Sequence, residues 1–211
     1  MLKLHYAPGT VAMASHIALA EAGADYTAVP VDFANAAQTK ADYLAINPKG
    51  RVPALVTERG ILTETPAILL YIAQRYPEKK LAPFDDIYRL AKMQEFNNYL
   101  CSTVHVNQSH YLRGTRWASE ESSLADMRRK VKQNMRDSLA LIEAEMIEGP
   151  WIMGDSYTVA DGYFFAVQRW LTFSKIDIAD YPKLERLVAR MKERPAVIRA
   201  LAEEVPAAPA A

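Results

Sequence analysis

The chain has 211 residues, half of them hydrophobic and 24% charged, the balance of an ordinary folded chain that buries one large core or two small ones. Its 25 basic and 25 acidic side chains cancel to a formal net charge of zero, which speaks against a general binder of nucleic acid or of an anionic membrane. No apolar run approaches the roughly 18 residues of a membrane span, no leader pattern opens the chain, and a cytoplasmic location is expected.

The first 80 residues mix strand and helix signals. Leu2–Tyr6 alternates like a strand. A turn at Pro8-Gly9 leads into a helix from about Val11 to Ala22, with Gly23 as its C-terminal cap. Tyr26–Asp32 reads as a second strand, and Pro30 places it at a sheet edge. A short helix around Lys40–Ala45 and a loop, Asn47–Arg51, precede two strands, Pro53–Thr57 and Ile61–Glu64, joined by a turn at Glu58-Arg59-Gly60. Thr65-Pro66 then opens a helix with Thr65 as its N-cap and ends near Tyr76-Pro77. A right-handed first crossover gives a parallel pair extended by the antiparallel hairpin, a mixed four-stranded sheet.

Residues 81–86 read as a linker and 87–205 as nearly all helical. The single cysteine excludes an internal disulfide or a Cys-x-x-Cys pair. Cys101 sits in an apolar helical stretch, where a buried and inert thiol is expected. Four scattered histidines without partners at ligand spacing give no metal site. Leu124, Met127, Val131, Met135, Leu139, Ile142 and Met146 form one amphipathic stripe, stopped by Gly149-Pro150. Thr158–Asp161 has the form of a capping box with Asp in the acidic position. Tyr181-Pro182 and Arg194-Pro195 introduce two more helices, and residues 206–211 read as a flexible tail.

The segments "YAPG…SHIALAEAG", "DYLAINPKGRVPAL", "LTETPAILLYIAQRYP" and "SYTVADGYFFAVQRW" closely resemble cytosolic glutathione S-transferases, and are most similar to the bacterial beta class. The resemblance runs from Leu2 to about Glu203. It implies a thioredoxin-like domain, residues 1–80, on an all-helical domain, residues 87–205, paired as a two-fold homodimer. It also implies glutathione as co-substrate, no metal, and a small hydrophobic electrophile as the other partner.

Site residues carry over with it. Val52-Pro53 matches a cis-proline whose preceding peptide pairs with the cysteinyl backbone of glutathione, with Arg51 beside it. Glu64 and Thr65 match the pair that holds the γ-glutamyl end. The strand-to-helix junction there suits a carboxylate on its own account, through free N–H groups and the helix dipole. His105 matches a histidine lining the active site, with a positioning role expected, and Asn98 a nearby asparagine. On a regular helix positions 98, 101, 102 and 105 share a face. Phe33–Gln38 is neutral where relatives often carry lysine, which points to a weaker hold on the glycyl carboxylate. Tyr111, Trp117, Tyr163 and Trp170 are candidates for the acceptor pocket.

Where the beta class carries a cysteine this chain has Val11, followed by Ala12. A thiol with pKa near about 8.5 is only a few per cent ionised at neutral pH, and lowering it by two units takes roughly 2.7 kcal/mol. A hydrogen bond to a charged partner supplies about 1.5–3 kcal/mol and a helix N-terminus about 0.3–1, up to about 2. Thr10, Tyr6, or no side chain at all are the three candidates for that role. Ser15 lies too far into the helix, and thiol–disulfide exchange is disfavoured because no cysteine is expected near the site. The chain therefore reads as a glutathione transferase that conjugates an electrophile, with peroxide reduction as a further activity. The alternatives are a non-catalytic glutathione-binding or regulatory module, and a purely structural dimerisation domain.

Overall fold

The computed structural model describes residues 1–204; the expected tail at 206–211 lies outside the described residues. A four-stranded sheet of order β2-β1-β3-β4 forms the N-terminal unit. Strand β1 (Leu2–Tyr6) pairs in parallel with β2 (Tyr26–Pro30) and antiparallel with β3 (Ala54–Thr57), which forms a hairpin with β4 (Gly60–Thr63). The edge position of β2 suits Pro30, which has no N–H for a further partner.

Helix α1 (Ala12–Glu21) crosses between β1 and β2. It closes with Gly23 at φ +62°, the Gly23 N–H reaching the Ala20 carbonyl and the Ala24 N–H reaching Leu19; only glycine adopts that φ at little cost. Residues 12–19 of α1 are all buried, because α3 (Thr65–Arg75) lies on one side and two C-terminal helices on the other. One close approach is at Gly162, where a Cβ would stand 3.4 Å from Ile17 and 3.0 Å from the Tyr157 hydroxyl.

A short helix α2 (Ala41–Leu44) leads to the loop before β3, where the Val52–Pro53 peptide is cis. The expected cap at Thr65 shifts by one residue. Glu64 takes the cap position at φ +71°, and Thr65 is the first helical residue with Pro66 second.

The C-terminal unit is helical. Asp86 caps α4 (Ile87–Tyr99) by accepting from the Tyr88 and Arg89 N–H groups at 2.9 and 3.0 Å. A π-helical segment, Leu100–Val104, joins α4 to α5 (His105–Arg113) without a break. In α6 (Glu121–Leu141) and the π turn that follows it, Leu124, Val131, Met135, Leu139 and Ile142 bury most of the expected stripe, and Met127 and Met146 are half-buried. The Thr158–Asp161 capping box opens α7 (Val159–Gln168). Asp161, with no exposed surface, accepts from the N–H groups of Ile152 and Thr158, each at 2.7 Å. The short α8 (Leu171–Ser174) precedes α9 (Pro182–Glu193) and α10 (Pro195–Glu203), which begin at the two expected prolines. Among the described residues no helix is long and apolar enough to cross a membrane.

Candidate functional site

A cavity of about 460 Å³ opens between the sheet unit and the helical unit. At its floor the turn Pro8–Val11 delivers the N-terminus of α1. Thr10 is fully engaged there: its hydroxyl donates to the Ala7 carbonyl at 2.7 Å and accepts from the Ala12 N–H at 3.3 Å. The Val11 N–H has no partner among the described residues, and such first-turn groups aim outward along the helix axis.

One wall is the loop before β3. Tyr43 and Asn47 both donate to the Arg51 carbonyl, at 2.8 and 2.6 Å, and so fix the approach to Val52. Gly50 is required by its φ of +61° and by the Gln38 carbonyl, 3.0 Å from where a Cβ would be. Among the described residues neither the N–H nor the C=O of Val52 has a backbone partner. The wall ends at the N-terminus of α3, where the Thr65 N–H and hydroxyl are likewise without partners among the described residues. The Glu64 carboxylate is paired with Lys49, whose ammonium also donates to Thr63.

The opposite wall is α5 with the π segment before it and the short 3-10 turn after it. Cys101, His105, Ser109, Leu112, Arg113 and Arg116 line the cavity, recurring every three or four residues apart from the adjacent Leu112 and Arg113. His105 packs against Trp170, ring centres 4.8 Å apart and planes tilted by 52°, and the Trp170 indole N–H donates to the Gly9 carbonyl at 2.8 Å and so ties the back of the cleft to its floor. Burial first, then the charges of Arg113, Arg51 and Arg116, push the His105 pKa down to about 4, so the ring is neutral at pH 7.

Of the residues expected to form the site, Thr10, Arg51, Val52, Pro53, Glu64, Thr65 and His105 meet around this cavity. Tyr6 does not reach it. Its phenol donates to the backbone carbonyl of Glu203 at 2.9 Å, on the far side of α1. Asn98 is exposed and outside the cavity. The physical reason is the π segment: one additional residue turns everything before it by about 100° relative to α5. The buried neighbour Asn97, with both amide atoms unpartnered among the described residues, takes the inward place. Trp117, Tyr163 and Trp170 line the cavity, whereas Tyr111 does not.

Cys101 corrects the expectation that no thiol lies near the site, since it forms part of the α5 wall. Burial first, then the charge of Glu64, raises its pKa, and Tyr163 is its neighbour, so it stays a protonated thiol. Arg113, Arg116, Leu112 and Phe173 also line the cleft and were not picked out from the sequence. Counting on from His105 in helical steps reaches the first three.

The family models for the glutathione S-transferase N-terminal and C-terminal domains match residues 1–74 and 67–195. The chain belongs to the glutathione S-transferase family. Among its relatives, the glutathione S-transferase GstA of Escherichia coli O157:H7 is 34% identical over 206 residues, 96% of this chain and 98% of the relative. A Sulfitobacter glutathione transferase homologue, solved with bound glutathione, superimposes with a TM-score of 0.93 at 43% identity, covering 96% and 98% of the two chains. The bacterial beta-class glutathione S-transferase of Sphingomonas chungbukensis gives 0.83 at 33%, covering 97% and 100%. This glutathione S-transferase thus has the thioredoxin-like and helical domains of a bacterial cytosolic-type enzyme, and its enzyme class is that of a glutathione transferase. Among the described residues no cluster of three or more His, Cys, Asp or Glu is placed to hold a metal.

Proposed function

We propose that this glutathione transferase binds glutathione along the sheet-side wall, ionises its thiol at the N-terminus of α1, and delivers the sulfur to an electrophile held against α5. The observation that carries this reading is the run of unpartnered backbone groups at Val11, Val52 and Thr65 facing one cavity. The γ-glutamyl carboxylate takes the α3 N-terminus and its ammonium takes Glu64; the cysteinyl peptide pairs with Val52; the thiol then lies over Thr10 and Val11. The thiolate sulfur forms a bond to the electrophilic carbon, the leaving group departs with its electron pair, and the thiol proton goes to solvent.

The Tyr6 phenol is committed to Glu203 and is not the donor. Thr10 can donate to sulfur only by leaving the Ala7 carbonyl, so the Val11 N–H and the helix dipole supply the larger share, up to about 2 kcal/mol. The same thiolate would attack a peroxide oxygen, breaking the O–O bond, expelling the alkoxide and leaving a sulfenic acid, which a second glutathione thiol converts to the disulfide with loss of water. A two-fold homodimer in the cytoplasm belongs to this reading. The bond from Thr10 to Ala7 is the observation that favours the alternative, a glutathione-binding module without turnover.

Calorimetric titration of glutathione, followed by the ultraviolet thiolate absorbance of the bound complex against pH, tests the proposal in the wild type and Thr10→Val. The expected result is a bound-thiol pKa lowered by about 1–2 units in the wild type and still lowered, by less than one unit less, in Thr10→Val. Binding with an unshifted thiol leaves only the module, and no binding at all removes both.

A further inference from the structure

The zero net charge of the chain does not extend to its cleft. Apart from the neutral His105, the ionic side chains lining it are Arg51, Arg113, Arg116 and Glu64, and Glu64 is already paired with Lys49. Among the described residues none of the three arginines has a carboxylate partner. They are close enough to oppose one another: partial burial first, then the charges of Arg113 and Arg51, lower the pKa of Arg116. The Arg113 guanidinium lies 5.7 Å from the centre of the Phe33 ring, so it reaches across the mouth from α5 to the loop after β2. Beside Arg113 and Arg116 stand Leu112, Trp117 and Phe173, large apolar side chains 57%, 48% and 44% exposed.

A bound glutathione in the orientation proposed above uses the α3 N-terminus for one carboxylate and Glu64 for its ammonium. Its glycyl carboxylate occupies at most one guanidinium, and Arg51, on the sheet-side wall, is the one adjoining Val52. Two guanidinium groups then remain on the α5 wall, next to an apolar surface and without a counter-charge. Guanidinium groups match the two oxygens of a carboxylate in geometry as well as charge.

We infer that Arg113 and Arg116 dock a carboxylate of the electrophile, so that the preferred acceptors are aromatic or other apolar carboxylic acids rather than neutral hydrophobes. The inference rests on the transferase reading of the cleft. The apolar body of such an acceptor lies on Trp117, Leu112 and Phe173, and its charged end reaches the arginines.

The test compares 4-chloro-3-nitrobenzoate with 4-chloro-3-nitrobenzamide, each rate divided by its uncatalysed rate with glutathione. In both, the glutathione sulfur bonds to the chlorine-bearing carbon, chloride leaves with the bonding pair, and the thiol proton is released. Wild type is expected to favour the benzoate by about tenfold or more in kcat/KM, mainly through KM. Arg113→Met and Arg116→Met should each cut that ratio by about threefold to tenfold, and Arg116→Lys, which keeps the charge but not the planar fork, should retain only part of it. Calorimetry of the unreactive 3-nitrobenzoate and 3-nitrobenzamide on the glutathione-loaded protein reads the same preference without turnover. Preferential binding of the nitrobenzoate that disappears in the double Met variant supports the anion site even where conjugation is absent; in that case the thiol chemistry is what has failed. Equal treatment of benzoate and benzamide by the wild type overturns the inference. So does a glutathione dissociation constant that rises in the Met variants by the factor the ratio falls, because the arginines would then serve the tripeptide.

Discussion

At neutral pH His105 contributes a ring and not a charge. The cleft that buries it also brings three guanidinium groups toward it, from both walls, and both effects disfavour the protonated form. Its folded pKa of about 4 lies below the ordinary 6.5, so between those values the unfolded chain binds more protons than the folded one. Stability therefore rises with pH through that window, is fully present above about 6.5, and is lost as pH falls toward 4. His105→Gln should flatten the rise by on the order of 2 kcal/mol in urea unfolding measured from pH 4 to 7; an unchanged slope would mean the ring is solvated. Thr10 and Tyr6 show what could be read of single residues beforehand. Their positions near the first turn are local facts, evident in the sequence. Where their hydroxyl protons go is not: Tyr6 is claimed by a carbonyl 197 residues away, and Thr10 by the tight turn itself.

Helices show the same division at larger scale. The starts of α7, α9 and α10 were evident from a capping box and two prolines, because caps are local chemistry. The orientation of α4 was not, because the π segment at Leu100–Val104 leaves no mark in the hydrophobic period that places it. That one additional residue exchanges Asn98 for Asn97 on the inner face and leaves Cys101 and His105 on the cleft. The α7 cap, for its part, holds two backbone N–H groups on a fully buried carboxylate. Asp161→Asn places an amide donor against one of those N–H groups, and the loss should be about 2–4 kcal/mol. Chemical denaturation of the variant checks this, and a loss below about 0.5 kcal/mol would show that the cap is dispensable.

Across the whole molecule the sheet unit and the helical unit share α1 as a common core element, packed by α3, α7 and α10. The far end of α10 is fastened to the sheet unit through Glu203. Its carboxylate accepts from the buried His16 at 2.8 Å and from Arg199 at 2.7 Å, while its backbone carbonyl accepts from Tyr6. Glu203→Ala should lower stability by about 1–2 kcal/mol and expose the α10 amides to hydrogen exchange. An unmoved urea midpoint with unchanged exchange would show that α10 is held by its apolar face alone. The two-part architecture and the mixed sheet with β2 at its edge followed from the hydrophobic pattern and the family resemblance. The convergence of Arg51, Arg113 and Arg116 did not, since it joins a loop of one unit to a helix of the other.

The Val11 N–H, without a partner among the described residues, bears on how the floor of this cavity can change over generations. A side-chain donor is lost with one codon, but a peptide group is present whatever residue is encoded. Positions 10 and 11 can drift among residues that keep the turn and the start of α1, and the positive end of that helix persists at the floor of the cavity. A chain can thus exchange side chains there and still keep a place that favours an anion.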